Sequence, residues 1–275
     1  MKKLNSAQAE QFESQGFCAP IRAISAEEAA TLRGKLEAHE RQHGLLKGPM
    51  RHKSHLLFTW LDDLIRHPGI LDAVEDILGP NLLVWGSSFF TKEAHDASYV
   101  SWHQDSTYWG LDPADIVTAW VALSDSTAEN GAMRVIPGSH KKDQLAHRDT
   151  FAEGNLLSRG QEISVEVDES RAEMLQLRPG EMSLHHVRLI HGSDPNPSDK
   201  RRIGFAIRYL PTHVRQIVGT HDTATLVRGV DSYGNFEPEE RPLSDLSEEA
   251  VAFHAKVTGE HQQILMRDTG RTAAA

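Results

Sequence analysis

The chain has 275 residues and a formal net charge of −10. That length suits a single domain able to bury a sizeable core. The acidic balance excludes the nonspecific attraction to nucleic acid or anionic membrane that a basic surface supplies. A lone cysteine, Cys18, excludes an internal disulfide and suits a reducing cytoplasm, and no run reaches the ~20 apolar residues of a membrane span.

Residues 1–80 read as a mainly helical part. The opening "MKKLNSAQAEQFESQ" is polar throughout, with no apolar signal core, and Ser6 is the expected N-cap of its helix. In "SAEEAATLRGKLEAHERQHG", Ser25 and Glu28 stand at capping-box spacing and Gly44 ends the helix. "HPGILDAVEDILGP" predicts a short amphipathic helix closed by Gly79 and Pro80.

The pattern changes over 81–215. "NLLVWGSSFFTKEA", "YVSWHQDSTYW", "DIVTAWVALSD", "AMRVIPGS", "ISVEVD", "EMSLHHVRLIHGS" and "RRIGFAIRYLP" are short runs rich in Val, Ile and aromatics, punctuated by Gly, Pro, Asn and Asp. Strands at this spacing predict a mainly β fold, a sandwich or barrel with flanking helices. The polar, irregular segment 139–162 reads as an insertion or lid over the mouth of that core. Residues 216–275 read as loop-rich with a final helix opened by "SDLSEEAVAFHAKV", and the tail "RDTGRTAAA" as frayed.

Sixteen histidines prompt a search for metal-ligand spacing. His103 and Asp105 are two apart in a strand-like run, so both point to one face. His191, before a turn-forming "GSDPNP", is the best third ligand; His185 and His186 are rivals, with His185 on the parity of His191. Two histidines and a carboxylate with open positions opposite form the triad of non-haem Fe(II) oxygenases. Eleven residues after His191, Arg202 begins an alternating strand in which Arg202, Gly204, Ala206 and Arg208 share one face. A small, cationic face suits a dicarboxylate, since guanidinium grips carboxylate bidentately, and Ser193 can add a hydroxyl. The plainer alternative is a surface ion pair for Arg202.

With "WHQDSTYWG", "TAWVALSDSTAENGAMRVIPGSHK", "LRPGEMSLHHVRLIHGS" and "RRIGFAIRY" in this order, the chain resembles the phytanoyl-CoA dioxygenase family of Fe(II)/2-oxoglutarate oxygenases over roughly residues 81–210. The resemblance implies a double-stranded β-helix, a squashed jelly-roll barrel of cupin type. It implies iron on His103, Asp105 and His191, with 2-oxoglutarate and O2 as cosubstrates. It also implies that Arg202 and Ser193 hold the distal carboxylate of 2-oxoglutarate, that Trp120 lines that pocket, and that Lys92 and Lys53 lie near cosubstrate or substrate. Related halogenases lack the carboxylate ligand, so Asp105 implies hydroxylation instead of chlorination.

Tyr108 and Trp109 lie just past the first two ligands, where a substrate reaches the metal. Aromatics there can hold an ammonium group, and basic residues such as Arg51, Lys53 and Arg159 can meet an anion. A small polar or zwitterionic substrate is expected, for example an aminophosphonate or a quaternary-ammonium compound. Two other classes remain open: a cupin-type metalloenzyme that does not use 2-oxoglutarate, and a non-catalytic metal- or ligand-binding protein on the same fold.

Overall fold

The computed structural model describes residues 1–46, 48–219 and 221–270. The last part of the expected frayed tail, 271–275, lies outside them.

Helix α1 (Ser6–Gln15) is capped one residue earlier than expected. Asn5 Oδ1 accepts from the Gln8 amide at 2.9 Å, and Gln8 Oε1 accepts from the Asn5 amide at 3.0 Å, a reciprocal box that Ser6 is not placed to make. Helix α2 (Ala26–His43) has the predicted Ser25–Glu28 box, and its C-cap is Gly44. Helices α3 (Thr59–Ile65) and α4 (Pro68–Leu78) follow, and Ser247 caps α5 (Glu248–Leu265).

Eleven strands build two facing sheets: β1 (Phe17–Arg22), β2 (Leu82–Lys92), β3 (Val100–His103), β4 (Val117–Ala122), β5 (Met133–Val135), β6 (Glu173–Leu175), β7 (Glu181–His186), β8 (His191–Ser193), β9 (Arg202–Pro211), β10 (Thr223–Arg228) and β11 (Glu237–Pro238). The larger sheet runs β1-β7-β4-β9-β2-β10-β11 and the smaller β3-β8-β5-β6. Apart from the terminal β10–β11 pair, which is parallel, neighbours in both sheets are antiparallel. This is the expected jelly-roll barrel with flanking helices.

Three expectations change. The first 80 residues are not all helical: "FCAPIR" forms β1 at the edge of the larger sheet, where Pro20 is tolerated. The region after 215 is not only loop, because "TATLVR" joins the same sheet as β10 beside β2. Of "ISVEVD" only Ile163 belongs to a strand, in a two-residue pair of Glu162–Ile163 with His147–Arg148. Val165 is 52% exposed, and Val167 packs on the Ile136–Ile163–Ile190 cluster without joining a strand.

Alternation along β9 sorts its side chains by layer. Ile203, Phe205, Ile207 and Tyr209 join Phe89, Val121, Leu184 and the α3–α4 residues Leu61, Ile65, Ile70 and Val74 in the main core. Each large apolar side chain buried there contributes about 1.5–3 kcal/mol. The opposite face turns Arg202, Ala206 and Arg208 into the barrel. Tyr209, fully buried, donates its hydroxyl to the Ile65 carbonyl at 2.8 Å and ties β9 to the end of α3. Tyr209→Phe should leave that carbonyl unmatched and lower stability by about 1 kcal/mol. Denaturant titration should show a lower midpoint with an unchanged slope.

Candidate metal centre and its two cavities

His103 is the last residue of β3. Gln104 is still extended (φ −113°, ψ 133°), and Asp105 opens a 3-10 turn, Asp105–Tyr108. The expectation of both ligands on one strand is therefore corrected: Asp105 lies one step beyond the strand, and the extended Gln104 keeps its carboxylate on the side of His103. Gln104 faces away, donating to the Arg188 carbonyl at 2.8 Å. His191 opens β8 directly opposite His103 in the antiparallel register. The ring centroids of the two histidines are 4.1 Å apart.

The donor atoms converge. Asp105 Oδ1 is 3.3 Å from His103 Nε2 and 4.0 Å from His191 Nε2. One ligand atom from each of the three lies within 4.8 Å of the others. Each Nδ1 faces a backbone carbonyl, Ser101 O for His103 and Leu189 O for His191, both at 2.9 Å. A carbonyl only accepts, so each Nδ1 carries the proton and each Nε2 lone pair points into the site. Two imidazoles and one carboxylate on one side fit Fe(II) with its remaining positions open. Burial pushes His191 well below the usual histidine range, which keeps it neutral. Burial would raise the Asp105 carboxyl, but its two histidine neighbours and the Arg208 guanidinium outweigh that and hold it well below the usual carboxylate range.

The rival histidines separate. His185 lies beside the site, its ring 5.0 Å from that of His191, and burial lowers it to about 4. His186 turns outward, its ring 5.5 Å from that of His140, and its Nδ1 accepts from the Arg188 amide.

A cavity of about 450 Å³ extends from the triad to Arg202, lined also by Trp120, Ser193, His185 and Thr118. Arg202 is 2% exposed, so it is not a surface ion-pair residue. Its neighbour Arg201 takes that role, meeting Glu40 at 2.6 Å and Glu93 at 2.5 Å. Arg202 Nη1 donates to the Gly131 carbonyl, while its Nε is buried without a partner. Its guanidinium lies 5.5 Å from the Trp120 ring. A side chain at Gly204 would collide with that ring, its Cβ only 1.9 Å from Trp120 Cζ2.

Lys92 pairs with Arg202 across β2 and β9, and its Nζ donates to Ser193 Oγ at 2.8 Å. Burial, and then the Arg202 charge, lowers Lys92 to about 7; burial lowers Arg202 to about 10. Arg202 and the Ser193 hydroxyl thus face one end of the cavity, while Lys92, outside its lining, gives its ammonium protons to Ser193 and the Asp194 carbonyl. That end fits a carboxylate.

A second cavity, about 880 Å³, opens on the other side of Asp105 and Arg208, which line both. Tyr108 and Trp109 are in its wall, with Leu156, Leu157 and Ser158 of the irregular 139–162 segment above. Lys53 also lines it, but its ammonium is occupied by Glu239 Oε1 at 2.5 Å and by Thr223. Arg159 is likewise occupied: it is buried, bonded to Asp149 and the Arg267 carbonyl, and stacked 3.9 Å from the Tyr108 ring. His52 and His261 complete the wall. They come from the segment after α2 and from α5, and no local pattern in the sequence marks either.

The sequence model of the phytanoyl-CoA dioxygenase family matches residues 12–204. A probable alpha-ketoglutarate-dependent hypophosphite dioxygenase of Stutzerimonas stutzeri is 34% identical over 167 residues, covering 60% of this chain and 58% of its own length. The chain spans about half the length of the curated relatives it matches. Among solved structures, the non-heme monooxygenase ThoJ superposes with a TM-score of 0.84 at 37% identity, over 94% of this chain and 97% of its own. CytC3 with Fe(II) and alpha-ketoglutarate superposes with a TM-score of 0.65 at 25% identity, over 86% and 93%. With a family match across most of its length and the same barrel in these relatives, the chain belongs to the phytanoyl-CoA dioxygenase family.

Proposed function

We propose that the protein is an Fe(II)- and 2-oxoglutarate-dependent dioxygenase that hydroxylates a C–H bond of a small polar molecule. The observation that carries this is one cavity with the His103–Asp105–His191 donors at one end and buried Arg202 and Ser193 at the other, with Lys92 bonded to the Ser193 hydroxyl from behind. Metal and dicarboxylate cosubstrate both find matching groups there. The relatives that bind alpha-ketoglutarate, and the hypophosphite dioxygenase among them, support this reading and a small polar substrate.

Bound there, Fe(II) and 2-oxoglutarate supply the oxidising power that divides O2 between succinate and the hydroxylated product, with loss of CO2. The protein's own groups position the reactants. His103, Asp105 and His191 hold the metal, with both Nδ1 protons fixed by backbone carbonyls. Arg202 and Ser193 anchor the distal carboxylate, and Trp120 walls its chain. Tyr108 and Trp109 place the substrate beside the metal without supplying a ligand, which converts the encounter into an oriented one.

The test is succinate release by the Fe(II)-loaded protein with 2-oxoglutarate and ascorbate, screened over phosphonates, phosphinates, amino acids and small amines. One class should raise succinate well above the substrate-free rate, and a chelator should abolish the increase. Absence of any increase would favour a binding protein on the same fold. Normal turnover by Arg202→Ala without 2-oxoglutarate would favour the cupin-type reading.

A further inference from the structure

Arg208 stands at the junction of the two cavities and lines both. It is six residues from Arg202 on the same face of β9, about 20 Å along the strand. Arg202 belongs to the first cavity alone. Arg208 Nη1 donates to Ser88 Oγ at 2.8 Å, and its Nε is buried with no partner in the protein. A buried guanidinium with unmet donors is unfavourable unless an anion completes it. The carboxylate beside it, Asp105, belongs to the metal centre.

The surroundings extend the donor set. Ser88 Oγ accepts from Arg208 and also lies 3.0 Å from His52 Nδ1, within hydrogen-bond distance. The His52 ring lines the second cavity beside Arg208. Among the described residues lining that cavity, Asp105 is the only carboxylate. The aromatic faces a cationic substrate needs are already in use. Arg159 covers Tyr108 at 3.9 Å, Arg208 lies 5.7 Å from the Trp109 ring, and Trp109 and His261 pack against Trp85 at 4.9 and 4.6 Å.

We infer that the substrate carries an oxyanion, a carboxylate or a phosphonate-type group, and that Arg208, with the Ser88–His52 pair, anchors it beside the metal centre. This narrows the substrate class within the dioxygenase reading and rests on that reading for the chemistry, though not for the binding.

The test is tryptophan fluorescence of the full chain loaded with Fe(II) and 2-oxoglutarate in the absence of O2, so that the Arg202 end is filled. Trp85 and Trp109 report on the second cavity. Methylphosphonate and acetate are the anionic probes and tetramethylammonium the cationic one. An oxyanion should bind saturably and tetramethylammonium should not, and the tighter anion identifies the head group. Arg208→Gln should weaken anion binding by about tenfold to a hundredfold. Ser88→Ala, which keeps the guanidinium, should weaken it less. The visible charge-transfer band of 2-oxoglutarate on Fe(II) should titrate unchanged in Ser88→Ala, and in Arg208→Gln it should shift far less than the probe does, since Arg208 also borders the first cavity and Asp105. Arg208→Lys controls for folding and should recover part of the affinity. Three results overturn the inference: binding of the cation alone, no binding of either oxyanion, or an Arg208→Gln effect on 2-oxoglutarate in place of the probe. Oxyanion binding that depends on Arg208, with no succinate from any substrate, would retain the anion site and remove the dioxygenase reading.

Discussion

His191→Ala should strip the protein of iron and reduce substrate-dependent succinate formation to background. His191 and His103 face each other across the β3–β8 pair, and both aim Nε2 at the Asp105 carboxylate. With one imidazole gone, the other two donors define no three-sided cap. Loss of a group that merely orients a ligand typically weakens a metal about 10–100-fold, and loss of the ligand itself should exceed that. Iron content after desalting reads the effect directly. Thermal melting gives a second reading, because a metal that binds the folded state raises the melting temperature with its concentration, a shift the variant should lack. His185→Gln is the discriminating control. His185 is as buried as the ligands and touches His191, yet it is not part of the converging set. It should retain iron at the wild-type stoichiometry. Equal iron loss in both variants would mean that any disturbance of this cavity expels metal, and the assignment of His191 would fail.

The legible parts of the site are those that depend on local periodicity. Alternation along "RRIGFAIRYLP" sorts Arg202 and Arg208 from Ile203, Phe205 and Ile207, and the sheet keeps that sorting because a one-residue slip would bury both arginines in the core. The Ser25–Glu28 box is legible for the same reason, since both partners lie within one helical turn. What stayed hidden is set by distant contacts. The run "FCAPIR" becomes a strand only because β7 offers it an edge more than 150 residues later, as the Phe17–His185 pairing shows. Lys53 reads as a basic residue available to an anion, but Glu239 is 186 residues away and captures it. Arg159 likewise reads as a basic residue available to an anion, yet it is held by the Leu265 and Arg267 carbonyls at and just past the end of α5. His52 and His261 meet in one cavity wall through packing of α5 on the segment after α2, marked by the bond from His254 Nε2 to the His52 carbonyl. Strand patterning therefore reached the His103–Asp105–His191 cluster and the Arg202 end, and the residues just past that cluster, Tyr108 and Trp109, but not His52 or His261 in the second cavity's wall.

Arg202→Met should raise the KM for 2-oxoglutarate by about a hundredfold, since hydrogen bonds to a charged group contribute about 1.5–3 kcal/mol and a bidentate pair stands at the upper end. The effect should fall on binding more than on folding, for a reason visible at the site. Arg202 has the Gly131 carbonyl as its hydrogen-bonding partner, and its charge opposes that of Lys92 across the β2–β9 pair. Removing the guanidinium loses one bond to a neutral oxygen and relieves a repulsion between two buried cations. These changes oppose each other, so the melting temperature should move little. Lys92 should then regain basicity, since the Arg202 charge contributes to holding it at about 7. Lysine at position 202 should recover only part of the affinity, because a point charge cannot reproduce the two parallel bonds of a guanidinium fork. The KM for the primary substrate should stay near the wild-type value, as Arg202 does not reach the second cavity. An unchanged KM for 2-oxoglutarate in a folded Arg202→Met protein would detach the cosubstrate from this end of the barrel and leave the buried pair of cations without a ligand.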